Sequence, residues 1–291
     1  MARADDPGGV PEHVRYEDVR RLCEFLYRRT GMLFEDNKRY YIDRRLTERM
    51  TATGAVSFEA YFAILRSDTA QEIEHLVNAF TVNETYFYRE DHQLRCMTSE
   101  ILPDIVARKP VGAPIRIWSM PCSTGEEAYS IAIWLMENFR DVDRYEIEIV
   151  GSDIDTRALE AAAEGIYGAR ALMRLSKDVI ARYFEQLAPD RYRIDAGLRN
   201  SILFTTANLV DAGMMEQYRG FDLVFCRNVL IYFDDASRRL AAENLYDSLQ
   251  PGGYICLGHS ESMSRISSLF RVCRFADAIV YQKPEGGRGA A

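Results

Sequence analysis

The amino-acid sequence predicts an α/β protein. A Rossmann-like, doubly wound sheet is preceded by a small all-helical N-terminal domain and carries a small antiparallel β-subdomain insertion. Three stretches predict the sheet. Ile115 to Ile133 reads as a strand (Ile115 to Ser119), a tight turn around Gly125, and a helix burying Ala128, Ile131, Ala132 and Leu135 at helical spacing. A strand that feeds a helix through a glycine turn builds a ligand crevice at the carboxyl edge of an open sheet. About one βαβ length later, strand Ile147 to Gly151 runs on to Asp153, where such folds hold a ribose diol with an acid. Phe221 to Cys226 is apolar but for Asp222, as a central parallel strand should nearly be, and it ends on Arg227, Asn228 and, further on, Tyr232.

In chain order, residues 1–14 read as a disordered lead rich in Asp, Pro and Gly. Residues 15–80 form the helical domain. Tyr16 to Met32 is amphipathic, with a stop expected at Gly31. Asn37 to Met50 buries Ile42, Leu46 and Met50 and sets Lys38, Arg45 and Arg49 on an adjoining strip. That strip suits either a solvated face or a docking face for an acidic partner. Tyr61 to Leu65 lies in a third helix opened by Ser57, and Glu72 to Phe80 in a fourth. Residues 81–113 follow as a linker and lid helix (His92 to Arg108). The aromatic run before that helix carries Asn83, Thr85 and Arg89, and Arg89 suits a carboxylate by bidentate geometry.

Residues 114–284 form the sheet domain. Ser123 or Thr124 is expected to cap the helix after the first strand, and Glu126 and Glu127 suit its positive end. Thr156 to Glu164 and Leu175 to Gln186 read as helices. Tyr192 to Ile194 and Leu198 to Thr206 then alternate like antiparallel strands around a turn at Asp195-Ala-Gly197, which places the inserted subdomain at about 187–206. Helix Ala236 to Leu249 and strands Tyr254 to Gly258 and Ala278 to Gln282 complete the domain. Residues 285–291 read as a disordered tail.

The chain has 291 residues, a net charge of −8 and a pI of about 5.2, the wrong sign for a dedicated nucleic-acid binder. No apolar run is long enough to insert in a membrane, and no secretory leader is read. The six cysteines form no C-x-x-C pair and the four histidines no ligand cluster, so reduced thiols, a cytoplasmic setting and no metal are expected. Gly125 stands without a G-x-G-x-x-G frame, which disfavours a diphosphate cofactor. S-adenosyl-L-methionine (SAM) fits better, because its ribose and ammonium want carboxylates and it has no phosphate.

Five ordered motifs then converge: Asn83-Glu-Thr-Tyr-Phe-Tyr-Arg89, Ser123-Thr-Gly-Glu-Glu127, Gly151-Ser-Asp-Ile-Asp-Thr156, Phe225-Cys-Arg-Asn-Val-Leu-Ile-Tyr-Phe-Asp234 and Gly258-His-Ser-Glu261. Together they resemble the chemotaxis receptor methyltransferases, the CheR family, over nearly the whole chain. The resemblance implies SAM-dependent O-methylation of glutamates on the cytoplasmic helices of chemoreceptors, with S-adenosyl-L-homocysteine as product. It implies cofactor contacts from Asn83, Thr85, Arg89, Glu127 (the ammonium), Asp153 (the ribose), Asn208 and Leu209 (the adenine side), Arg227 and Asn228. Arg89 and Tyr232 would stand at the reaction centre, and Lys38, Arg45 and Arg49 would face the receptor. Some members recruit receptors through a terminal pentapeptide added to the inserted sheet. The short segment between Phe184 and Phe204, with Pro189 and one glycine, leads us to expect independence of that tether, and a monomer is expected. Two other readings share the same sequence: a methyltransferase of a small molecule, and a SAM-binding adaptor without turnover.

Overall fold

The computed structural model describes residues 14–35, 38–67 and 70–286; the expected lead and tail fall largely outside the described residues. The chain divides between Val82 and Asn83 into two compact units.

The first unit is helical. α1 (Tyr16–Thr30) stops at Gly31, whose backbone turns left-handed (φ 70°). α2 (Arg39–Thr53) follows, then α3 (Phe58–Arg66), opened by Ser57, whose Oγ accepts the Ala60 N–H at 3.2 Å, then α4 (Ala70–Phe80). Leu22 and Leu26, Ile42, Leu46 and Met50, Tyr61 and Leu65, and Leu76 and Phe80 are all buried, so each helix turns a stripe at i, i+4 spacing into one core.

The three cations of the α2 strip differ in their surroundings. Arg49 forks onto the buried Glu72 (Nε to Oε1 3.0 Å, Nη2 to Oε2 2.5 Å), and the Tyr61 hydroxyl donates to the same carboxylate at 2.7 Å. Arg45 lies 3.5 Å over the Tyr41 ring and donates to the Ala79 carbonyl. Lys38 alone of the three is exposed. Residues that share one strip of a helix can still reach inward when the neighbouring helix supplies a buried acid.

The second unit begins with α5 (Asp91–Cys96), a π turn (Met97–Ile101) and α6 (Leu102–Arg108), where one helix is read from the sequence. Pro103 cannot donate to the preceding turn, and the ladder widens just ahead of it, with Leu102 N–H reaching back to Met97. There follow β1 (Pro114–Ser119), α7 (Glu126–Asn138), β2 (Glu146–Asp153), α8 (Thr156–Glu164), β3 (Ile166–Tyr167), α9 (Lys177–Tyr183), β4 (Phe184–Ala188) and β5 (Arg191–Ile194). Then come α10 (Ala196–Ser201), β6 (Ile202–Thr206), α11 (Ala212–Met215), β7 (Phe221–Cys226), α12 (Asp235–Ser248), β8 (Leu249–Leu257), β9 (Arg271–Arg274) and β10 (Ile279–Gln282).

The main sheet has the order β6-β2-β1-β7-β8-β10-β9. The first five strands are parallel, and β10 runs antiparallel to both its neighbours. β1 lies between β2 and β7, so the chain winds outward from it on one side and returns on the other. That reversal opens a crevice at the carboxyl ends of β1 and β7.

The inserted sheet differs from expectation. It is β3-β5-β4, within residues 166–194 rather than 187–206. The helix expected over 175–186 ends at Tyr183, and its last residues become β4. No hairpin forms at Asp195. Its carboxylate instead accepts the Gly197 and Leu198 N–H groups at 2.7 and 3.3 Å and caps α10. Ile202–Thr206 then joins the main sheet as its parallel edge strand beside β2.

Candidate active site

The turn after β1 is held by its own amides. Met120 N–H donates to Phe225, Cys122 N–H to Ser152 and Gly125 N–H to Cys122, at 2.8 to 2.9 Å, and Ser123 N–H donates to the Asp153 carboxylate at 2.7 Å. Neither Ser123 nor Thr124 caps α7, as the sequence suggests. Gly125 takes that place at φ 93°, and a Cβ there would stand 2.9 Å from the Ala162 side chain. Thr124 Oγ1 instead donates to Glu126 at 2.6 Å.

Asp153 ends β2 and is buried. Its second oxygen accepts the Asp155 N–H at 2.9 Å. Burial lifts its carboxyl to about 6, against the backbone amides of Asp155 and Ser123, which lower it. Asn83 bridges this corner: its Nδ2 donates to Asp155 at 2.7 Å, and its Oδ1 accepts the Ser123 hydroxyl at 3.2 Å. Thr85 is half-buried on the same extended stretch.

A second chain of charges crosses from α7 to β7. Glu127 accepts the Ser119 hydroxyl at 2.7 Å and Arg227 Nη1 at 3.0 Å. Arg227 Nη2 donates to the Arg89 carbonyl at 2.7 Å and lies 3.4 Å from Glu90. Glu90 meets the His259 ring at 2.9 Å. Burial raises the Glu127 carboxyl, and Arg227 and Ser119 draw it back in part. Burial acts on Glu90 too, yet Arg227 and His259 together hold it below its usual range.

Arg89 is half-buried and donates to the Glu84 carbonyl at 2.9 Å. Tyr232 is half-buried on a 3-10 turn (Leu230–Tyr232), with its phenol raised by burial and lowered in part by the Arg89 charge. Asn208 turns the chain after β6 through its Oδ1, which accepts Val210 N–H at 3.2 Å. Leu209 is buried, and its carbonyl accepts Asn244 Nδ2 at 2.8 Å. Asn228 is left-handed at φ 60°. The other non-glycine residues with positive φ among those described, Tyr88, Glu90 and Ser123, belong to these same segments. Such backbone costs about 1–3 kcal/mol per residue and collects at functional sites.

Asp153, Asn208, Leu209, Arg227 and Asn228 thus lie at or just past strand ends, Glu127 in the first turn of α7, Asn83, Thr85 and Arg89 in the stretch before α5 and Tyr232 on the turn after β7, while Lys38, Arg45 and Arg49 belong to the helical unit. Sequence reasoning passed over Ser119, Glu90, Asp155 and Glu261. Glu261 lies in a quoted motif, and its role is visible only from the amides it faces.

This site fits SAM and not a diphosphate. Four amides of the β1 turn are spent within the protein, so the backbone offers no phosphate cradle there. Carboxylates stand at the ends of β2 and in the first turn of α7, as a diol and an ammonium require. A doubly wound sheet with acids at this crevice suits a SAM-dependent methyltransferase.

Residues 83–279 match the family model described as the CheR methyltransferase SAM-binding domain, and residues 17–81 that of the CheR all-alpha domain. A Vibrio cholerae protein named chemotaxis protein methyltransferase 2 is 46% identical over 272 residues, 93% of this chain and 94% of that one. Proteins named chemotaxis protein methyltransferase from Borreliella burgdorferi (31% identical, 86% of this chain and 90% of that one) and Salmonella typhimurium (35%, 85% and 84%) are also similar. The chain belongs to the CheR methyltransferase family, and its cofactor is SAM.

Proposed function

We propose that this protein methylates glutamate side chains on the cytoplasmic helices of chemoreceptors, giving methyl esters and S-adenosyl-L-homocysteine. The observation that carries this reading is the acid-lined crevice, with Asp153 buried at the end of β2 and Glu127 held by Ser119 and Arg227, beside the segments that carry Arg89 and Tyr232. A glutamate carboxylate is already a nucleophile at neutral pH and needs no general base. It needs a cation and a hydroxyl to aim it, and a site that strips its water. Bound SAM supplies a methyl group on a sulfonium. Asn83, Thr85, Glu127, Asp153, Asn208, Leu209, Arg227 and Asn228 hold the cofactor in this reading. The names of the relatives support a chemotaxis role. Among the described residues no helix is long and apolar enough to cross a membrane.

The protein acts in this reading as a cytoplasmic monomer without a receptor tether. The β4–β5 connection is only Pro189 and Asp190, with no glycine to open it to a peptide. The test is transfer of labelled methyl from SAM to receptor cytoplasmic fragments, with alkali-labile label marking an ester. Label that resists alkali, or none, overturns the reading.

Two variants probe the parts. Tyr232→Phe should lower single-turnover methylation roughly tenfold, the worth of one hydrogen bond to a charged group, with the melting temperature unchanged. A wild-type rate removes Tyr232 from the reaction centre. Lys38→Glu should slow receptor methylation at low salt, with the difference shrinking as salt rises because exposed charges are screened over about 8 Å at physiological ionic strength. SAM affinity should not change. Arg49 is unsuited to that experiment, since a glutamate there would face the buried Glu72.

A further inference from the structure

We propose that Glu261 is a positioning residue for methyl transfer, its carboxylate holding the loop of Asn228 and Tyr232 in the conformation the reaction uses. The inference rests on the role given to Tyr232 above.

Glu261 reaches back from beyond β8 to the chain leaving β7. Its Oε2 accepts Asn228 N–H at 2.8 Å and Gly258 N–H at 2.9 Å, and its Oε1 accepts Leu230 N–H at 2.8 Å. Asn228 is one of the left-handed residues, a backbone state held only when its surroundings compel it. Leu230 opens the 3-10 turn that carries Tyr232, with Tyr232 N–H on Val229 at 3.0 Å and Phe233 N–H on Leu230 at 3.2 Å. One side chain thus fixes the loop on both sides of Val229, just ahead of the phenol.

Residue 258 has to be glycine for this. A Cβ there would stand 2.8 Å from Asn228 Nδ2, 2.9 Å from Glu261 Oε2 and 3.0 Å from the Asn228 nitrogen. The need for a carboxylate follows from its partners. Three N–H donors converge on an acceptor-only group, whereas a glutamine would turn its own NH2 toward at least one of them.

The experiment is receptor methylation by Glu261→Gln, by Tyr232→Phe and by the double variant, with kcat, receptor KM and melting temperature measured for each. Glu261→Gln should lower kcat at least about tenfold, since small misplacements of a reacting geometry are that damaging, with receptor KM within about twofold of wild type. At saturating SAM, where an effect through Asn228 on cofactor affinity does not enter kcat, Glu261 acts through Tyr232, and the double variant should be no slower than the slower single one. A wild-type kcat for Glu261→Gln, or losses that multiply in the double variant, overturns the proposal. If Glu261→Gln does not fold, Glu261→Asp keeps the charge, withdraws it from the three amides, and is held to the same outcomes. Absence of ester in the wild type overturns the functional reading and this inference with it. An active wild type beside an equally fast Glu261→Gln overturns this inference alone.

Discussion

Replacing Arg227 by methionine is expected to destabilise the folded protein by about 3–5 kcal/mol, the usual result of removing one partner from a buried ion pair. The Arg227 side chain is 3% exposed, and its partners Glu90 and Glu127 are 12% and 13% exposed. Methionine fills much of the same volume, so packing is largely kept and the loss is electrostatic. Two carboxylates would remain close together with little water to screen them. In the wild type Glu90 titrates below its usual range, so its contribution is present above the unfolded value and fades as pH falls through the folded one. Without Arg227 the Glu90 carboxyl rises above its unfolded value, and that of Glu127, already raised in the wild type, rises further. Their penalty then sets in as pH rises, and the gap to wild type should narrow on acidification toward pH about 4. Urea midpoints at several pH values measure this, with a constant slope confirming two-state comparison. A variant within about 1 kcal/mol of wild type at pH 7 would mean that water already compensates these acids.

Asp153→Asn is expected to weaken SAM binding about 10- to 150-fold, equivalent to the 1.5–3 kcal/mol carried by hydrogen bonds to a charged group. The ionised carboxylate can accept both ribose hydroxyls while still holding Ser123 and Asp155; the amide cannot. The carboxyl titrates at about 6, so SAM affinity of the wild type should fall as pH drops below that value, and the variant should lose this dependence. Folding of the SAM-free protein runs the other way. A folded pKa raised above the unfolded one contributes stability that is present at low pH and lost as pH rises through about 6. Calorimetric titration of SAM across this range tests the binding, urea midpoints of the SAM-free protein test the folding, and an unchanged affinity for the variant removes Asp153 from the cofactor site.

Much of the sheet is legible in the sequence because its central strands are short, mostly apolar runs bounded by turn residues and helices. Phe221–Cys226 matches expectation residue for residue, and Asp153 closes β2 where the strand-end rule places an acid. The inserted sheet was harder for a physical reason. The alternation of Ile202–Thr206 suits an edge strand of either sheet, and local pattern does not say which partner it takes. Ile180, Tyr183 and Phe184 continue a helical spacing into a segment whose backbone pairs with β5. At the site, Asp153 and Arg227 were readable as polar groups at strand ends, and Glu127 as an acid at the positive end of a helix. Asp155, Glu90 and Glu261 were not, because what defines them is the backbone amide or buried cation they meet, often far away in the chain. The inward reach of Arg49 was hidden in the same way, since Glu72, 23 residues away, decides where that arginine points.

Trp118 on β1 stacks between Tyr218 and Phe221, with ring centroids 4.8 and 5.0 Å away, and its indole N–H donates to the Ser152 hydroxyl at 2.8 Å. Ser152 is the residue before Asp153, so the protein carries a fluorophore wired to its own cofactor corner. The chain has one other tryptophan, Trp134, whose ring meets Tyr88 edge-on at 5.2 Å. The two indoles therefore sample different surroundings, one dry and clamped at the heart of the sheet, one on a helix beside the segment that carries Arg89. Their emission offers a label-free optical signal from each side of the crevice in a single spectrum.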